Sequence, residues 1–105
     1  MIRKVTFEEA KRLMDSGAVT LDVRDEEEYI SGHAEGALLL PLDEITEDSA
    51  CGAIPSKSRE VVVYCRTGAR SAKAAELLQK LGFENIFDAG GLLGWPFGLR
   101  HGAEF

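Results

Sequence analysis

The stretch from residue 61 to residue 81 constrains this chain more than any other. Val61-Val62-Val63-Tyr64 is a run of strong strand formers without polar alternation, the pattern of a strand buried on both faces. A short polar turn follows at once, Cys65-Arg66-Thr67-Gly68-Ala69-Arg70. Ser71 to Leu81 then carries Ala72, Ala74, Ala75, Leu77, Leu78 and Leu81 at helical spacing, and Gly82 ends the helix. A strand that feeds a helix through so short a loop is half of a βαβ unit, and such units build parallel sheets.

The flanking sequence continues that alternation. Thr6 and Glu9 make a capping box, and Phe7, Ala10, Leu13 and Met14 predict a helix over 6–16 with Gly17 at its end. Ala18 to Val23 reads as a short buried strand, and Asp25 to Glu28 as the acidic first turn of a helix ending near Gly32. Ala37-Leu38-Leu39-Leu40, closed by Pro41, fits a buried strand or a helix fragment. Residues 42–47 fit one or two helical turns, and 48–60 is the least regular part of the chain. Asn85-Ile86-Phe87 reads as a last short strand, and Gly90-Gly91 leads into a helical turn around Trp95, stopped by Pro96 and Gly98. The expected fold class is α/β, with a central parallel β-sheet flanked by helices on both faces. No repeat, linker or low-complexity tract interrupts it, and 105 residues predict a single domain over 1–105.

Charge and cysteine usage narrow the partners. Twelve basic against eighteen acidic residues give a net charge of −6, which argues against general attraction to nucleic acid or anionic lipid. Any bound anion needs a local site. No apolar run approaches the roughly 18 to 20 residues of a membrane span, and Met1 to Val5 runs into a polar helix, so a cytoplasmic protein is expected. Cys51 and Cys65 are too few for a disulfide scaffold. A disulfide between them stays open, but a thiol with a chemical or packing role is the stronger reading.

Ligands of open parallel sheets bind beyond the carboxyl ends of the strands, which is where Cys65 falls. A cysteine after a valine run is often only a small buried hydrophobe. The loop argues for more, because a thiolate is favoured by backbone amides, a helix N-terminus and nearby cations. Residues 66–70 are short enough to curl their amides around the sulfur just before the helix near Ser71, and Arg66 and Arg70 add two positive charges. An ordinary connection does not need two arginines flanking Thr67-Gly68-Ala69.

The string from Val61 to Ser71, together with Leu21-Asp22-Val23-Arg24, Glu28-Tyr29, Gly32-His33, Gly36-Ala37, Pro41-Leu42, Leu81-Gly82-Phe83 and Gly90-Gly91 with Trp95, resembles the rhodanese domain. The resemblance covers nearly the entire chain in the family's order and spacing. It implies the rhodanese-like three-layer fold and an enzyme of the thiosulfate sulfurtransferase type. In that scheme Cys65 takes a sulfane sulfur from thiosulfate or a related donor as a persulfide. The sulfur then passes to a thiophilic acceptor, whether cyanide, a small thiol or a protein thiol such as thioredoxin or a sulfur-carrier protein. The scheme needs no metal and no organic cofactor. The amides of Arg66, Thr67, Gly68, Ala69 and Arg70 would stabilise the thiolate and the persulfide, while Arg66 and Arg70 help hold an oxyanion donor. The loop is one residue shorter than that of tyrosine-type phosphatases, which puts phosphatase or arsenate reductase chemistry behind sulfur transfer. Retention of the cysteine likewise puts a non-catalytic interaction or regulatory module behind.

Around this centre, Asp22 and Arg24 match the family's Asp-Val-Arg motif and are expected to brace the loop, with Glu27 or Glu28 as partner for Arg24. Ser71 supports the loop from the start of the helix. His33 is expected to hold a turn by hydrogen bonding, next to Ala34 and Glu35, where the sequence departs from the family pattern. Trp95 and Phe97 are expected to close the core, His101 to lie in a frayed tail, and Cys51 to be an incidental loop thiol.

Overall fold

The valine run forms the middle of the sheet. In the computed structural model, which describes residues 1–102, it becomes strand β4 (Glu60–Cys65). The chain order is β1 (Ile2–Lys4), α1 (Phe7–Asp15), β2 (Val19–Asp22), α2 (Glu26–Ser31), β3 (Leu38–Leu39), a 3-10 turn (Leu42–Glu44), α3 (Glu47–Ala53), β4, α4 (Ala69–Lys80) and β5 (Asn85–Gly91). All strand pairs are parallel, in the spatial order β1-β5-β4-β2-β3. Strand β4 therefore has a neighbour on each side and helices above and below, so Val61, Val62, Val63 and Tyr64 are all buried.

Side-chain alternation along β4 divides the core. Val61, Val63 and Cys65 point to the face covered by Ala74, Ala75 and Leu78 of α4 and Ala50 of α3. Val62 meets Ala10 of α1 on the other face, and Tyr64 meets Ala34 and Ala37 there. Cys65 thus inherits its direction from the valine pattern and lies on the same side as α4. Alanines on the inner face of α4 let that helix pack close to the sheet without losing helix propensity.

Several expectations need correction. The first residues do not run straight into α1; Ile2–Lys4 pairs with β5 as an edge strand, with Ile2 opposite Ile86. Residues 48–60 are not the irregular part, because α3 occupies Glu47–Ala53, capped by Thr46 and Ser49 and anchored by fully buried Ala50. Cys51 therefore sits on a helix, exposed, and does not join Cys65 in a disulfide. Strand β5 continues through Gly91, so the glycines extend the sheet and only a turn at residues 93–94 precedes Trp95. The run 37–40 yields a two-residue edge strand with Leu38 exposed rather than a fully buried one.

Residues 100–102 are docked, not frayed. His33 and Arg100 exchange both backbone hydrogen bonds in an antiparallel bridge, and Arg100 forms an ion pair with Glu35. The His101 ring nitrogen Nδ1 lies 3.0 Å from Ser31 O.

Candidate active site

Strand β4 delivers Cys65 to the carboxyl edge of the sheet, and the backbone reverses immediately into α4. Gly68 makes the reversal with φ of 106°, a left-handed conformation that costs glycine nothing. This geometry aims the Gly68 N–H at Cys65 Sγ, 2.9 Å away. Ser71, fully buried in the first turn of α4, rests its hydroxyl on Gly68 O at 3.1 Å. Burial pushes the Cys65 thiol up, but the amide and hydroxyl of Ser71 and the amides of Gly68 and Thr67 outweigh it and hold the pKa below that of an ordinary cysteine. The sulfur itself is nearly enclosed, with the residue 1% exposed.

A second strand closes the loop from behind. Strand β5 is irregular opposite Val63 and Tyr64, skipping Ala89, so that Gly90 and Gly91 lie beside Tyr64 and Cys65. The Asp88 carboxylate accepts from Gly90 N at 2.8 Å and holds this bulge. Gly91 then lies so close to the Arg66 and Thr67 backbone that no side chain fits there. Leu92 N donates to Cys65 O at 2.8 Å, so the end of β5 fixes the peptide of Cys65.

The two arginines of the loop part company. Arg70, expected to hold an oxyanion, makes a two-pronged ion pair with Glu28 of α2, at 2.7 and 2.9 Å. Its charge still acts on the Cys65 sulfur, while two of its five N–H donors are held by Glu28. Arg66 is exposed and has no ion-pair partner among the described residues. Thr67 and Ala69 are also exposed at the mouth of the loop.

Asp22 and Arg24 pair with each other, not with the acidic residues of α2 expected as partners for Arg24. Arg24 binds Asp22, at 2.6 Å from Nη2 to Oδ2, and donates to Gly32 O at 2.7 Å, leaving Glu28 to Arg70. Tyr64 donates to Asp22 Oδ2 at 2.7 Å and accepts from Ala34 N at 3.1 Å. The spacing favours this arrangement, because Asp22 is fully buried beside Tyr64 in the sheet, whereas α2 turns Glu28 toward the loop. His33 is fully buried, stacked on Tyr29 with its Nδ1 2.8 Å from Tyr29 O, as its structural reading required. Trp95 packs between Phe7 and Phe97, but Phe97 is exposed and does not belong to the core.

Sequence reasoning missed a cleft that shares Arg66 with the loop. A cleft of about 280 Å³ opens beside the loop, lined by Arg24, Glu28, Ser31, Gly32, Arg66, Leu92, Leu93 and Leu99. Leu93 and Leu99 come from the segment after β5 and carry no local signal; their exposed apolar character was the only clue. A larger cleft, about 360 Å³, lies between α1 and the β1 edge and has no cysteine in its lining.

The family model for the rhodanese-like domain matches residues 6–96. The chain belongs to the rhodanese-like domain family. Among curated relatives, this rhodanese-like chain is 42% identical over 72 residues to the thiosulfate sulfurtransferase PspE of Escherichia coli, covering 69% of this chain and 68% of that protein. A sulfurtransferase of Allochromatium vinosum is 36% identical over 105 residues, covering 97% and 92%. The probable adenylyltransferase/sulfurtransferase MoeZ of Mycobacterium tuberculosis is 35% identical over 94 residues, and there the match spans 24% of the longer protein. Among solved structures, a rhodanese with anions from E. coli superposes with a TM-score of 0.76 at 34% identity, covering 82% of this chain and all of that one. The three-layer rhodanese fold expected from the sequence is thereby established.

Proposed function

We propose that this rhodanese-type enzyme is a sulfurtransferase that carries sulfane sulfur on Cys65. The observation that supports the reading most directly is the 2.9 Å hydrogen bond from Gly68 N–H to Sγ, within a loop that lowers the thiol's pKa. The thiolate attacks the outer sulfur of thiosulfate or a related donor. A new S–S bond forms, the old one breaks, and its electron pair leaves with sulfite. An acceptor nucleophile then attacks the outer sulfur of the persulfide and the Cys65 thiolate departs, ready for another turn. The amides of residues 66–70 stabilise negative charge on either sulfur, because they are oriented before reaction and need no rearrangement. Arg66 supplies the cation for an anionic donor, Arg70 steadies the loop through Glu28, and Asp22, Arg24 and Ser71 support it.

No metal or organic cofactor enters the scheme, since the sulfur travels covalently. The acceptor is a small or protein thiol, with thioredoxin or a sulfur-carrier protein as examples of the class. The cytoplasm suits two free cysteines, because thiols stay reduced there.

The test is intact-mass analysis after mixing with thiosulfate. One added sulfur atom that maps to Cys65 and disappears with cyanide is the expected result. Cys65→Ser should fold normally and gain none, whereas turnover retained in that variant would refute the scheme.

A further inference from the structure

The charges lining the cleft are unequally matched. Arg24 is neutralised by buried Asp22, and Arg70 by Glu28, which holds both prongs of the guanidinium. Arg66 is the one loop cation left without an ion-pair partner among the described residues. Glu28 itself lines the cleft together with Arg66, so an incoming donor meets a fixed carboxylate as well as a cation. That carboxylate stays ionised, because the Arg70 guanidinium and the Asp25 amide both favour its charged form.

We propose that Glu28 is a specificity-determining residue that biases the site toward sulfane-sulfur donors bearing one negative charge and against those bearing two. The inference rests on the sulfurtransferase reading above. Glu28 acts in two ways: it offsets the Arg70 charge while holding two of its N–H donors, and it repels a second negative charge at the cleft. A carboxylate is not needed for the helix here, since the backbone N–H of Asp25 asks only for an oxygen acceptor.

Two donors of similar size isolate the charge. Thiosulfate is a dianion; Cys65 thiolate takes its outer sulfur and sulfite dianion leaves. Methanethiosulfonate is a monoanion in which a methyl group replaces one oxygen; the same attack expels methanesulfinate. Both steps convert the thiolate to the same persulfide, break one S–S bond and send its electron pair out with the leaving group.

The experiment measures kcat/KM for both donors in the native protein, Glu28→Gln and Glu28→Asp, with thermal melts to verify folding. Glutamine keeps the oxygen for Asp25 N–H and removes the charge. The ratio of thiosulfate to methanethiosulfonate should rise about five- to tenfold in Glu28→Gln, the scale of one unit charge acting over several Å in a partly solvated cleft. Glu28→Asp, which keeps the charge, should stay near the native ratio. A ratio in Glu28→Gln unchanged within about twofold overturns the proposal, as does an equal shift in Glu28→Asp. If persulfide forms from both donors and only the ratio fails to move, the proposal falls while the sulfurtransferase reading stands. If neither donor loads Cys65, both fall.

Discussion

The α-carbon of Gly91 lies directly against the Arg66 carbonyl: a methyl group built there would sit 2.3 Å from Arg66 O and 2.9 Å from the Thr67 α-carbon. Both neighbours are backbone, and the loop they belong to is the one that holds the sulfur. Strand β5 therefore shapes the cradle from outside it.

Gly91→Ala should accordingly damage sulfur transfer more than it damages folding. The loop must move by about 1 Å to admit the methyl group, and displacements of that size at a reacting group cost on the order of 100-fold in rate. Overpacking should cost about 1 to 3 kcal/mol in stability. Rates of persulfide formation, set beside urea melts, separate the two effects. A variant with native kinetics would show that β5 does not shape the cradle.

Strand β4, its loop and α4 are legible in sequence because each is specified locally: a valine run, a glycine able to take a left-handed turn, an alanine-rich helix. What escapes is specified by distant partners. Ile2-Arg3-Lys4 has little strand character of its own and is ordered by pairing with β5. Helix α3 hides behind Cys51 and Gly52, although Thr46 and Ser49 as caps and Ala50 and Ile54 four apart were available as signals. The pairing of Arg70 with Glu28 joins residues 42 apart, and no periodicity reports which of several acidic residues α2 will turn inward. The loop from Cys65 to Arg70 is legible because its residues are consecutive; Leu93 and Leu99 are not, because only the folded chain brings them into one cleft with Arg66.

Tyr64 ties the sheet to the turn that follows α2, and Tyr64→Phe should lower stability by about 1 to 3 kcal/mol. The change leaves the Ala34 amide without its acceptor and takes one donor from fully buried Asp22. Urea unfolding should show a lower midpoint with an unchanged slope. An unchanged midpoint would mean that water replaces the hydroxyl at no cost.

The Glu28 pair should make a small, pH-dependent contribution to stability. Arg70 lowers the Glu28 pKa from an ordinary 4.5 to about 2. A depressed carboxylate stabilises the folded state fully above its unfolded value, and the contribution fades as pH falls toward the folded one. Because the pair is partly exposed, the gain should be about 1 kcal/mol or less. Melting temperatures of the native protein and Glu28→Gln should therefore differ most above pH 4.5 and converge toward pH 2. A difference that stays constant across that window would assign the effect to packing instead of charge.

Ser71 offers a direct test of how the cradle activates sulfur. Its hydroxyl now donates to Gly68 O, yet together with its amide it favours the Cys65 thiolate over the thiol. Ser71→Ala fits the same buried space and removes only the hydroxyl, so the Cys65 pKa should rise while the fold survives. The thiolate is the reacting species. Below its pKa the rate of persulfide formation therefore follows the thiolate fraction, and above it the rate levels off. The variant should match the native protein at alkaline pH and fall behind it as the pH drops from the variant's midpoint toward the native one. Thiolate absorbance in the ultraviolet, followed in the same titration with Cys51→Ala as background, should move its midpoint upward in parallel with the rate. A midpoint that does not move would show that the backbone amides of Thr67, Gly68 and Ser71 activate Cys65 without the hydroxyl. A rate that falls equally at every pH would show that the hydroxyl positions the loop and leaves the charge on sulfur unchanged.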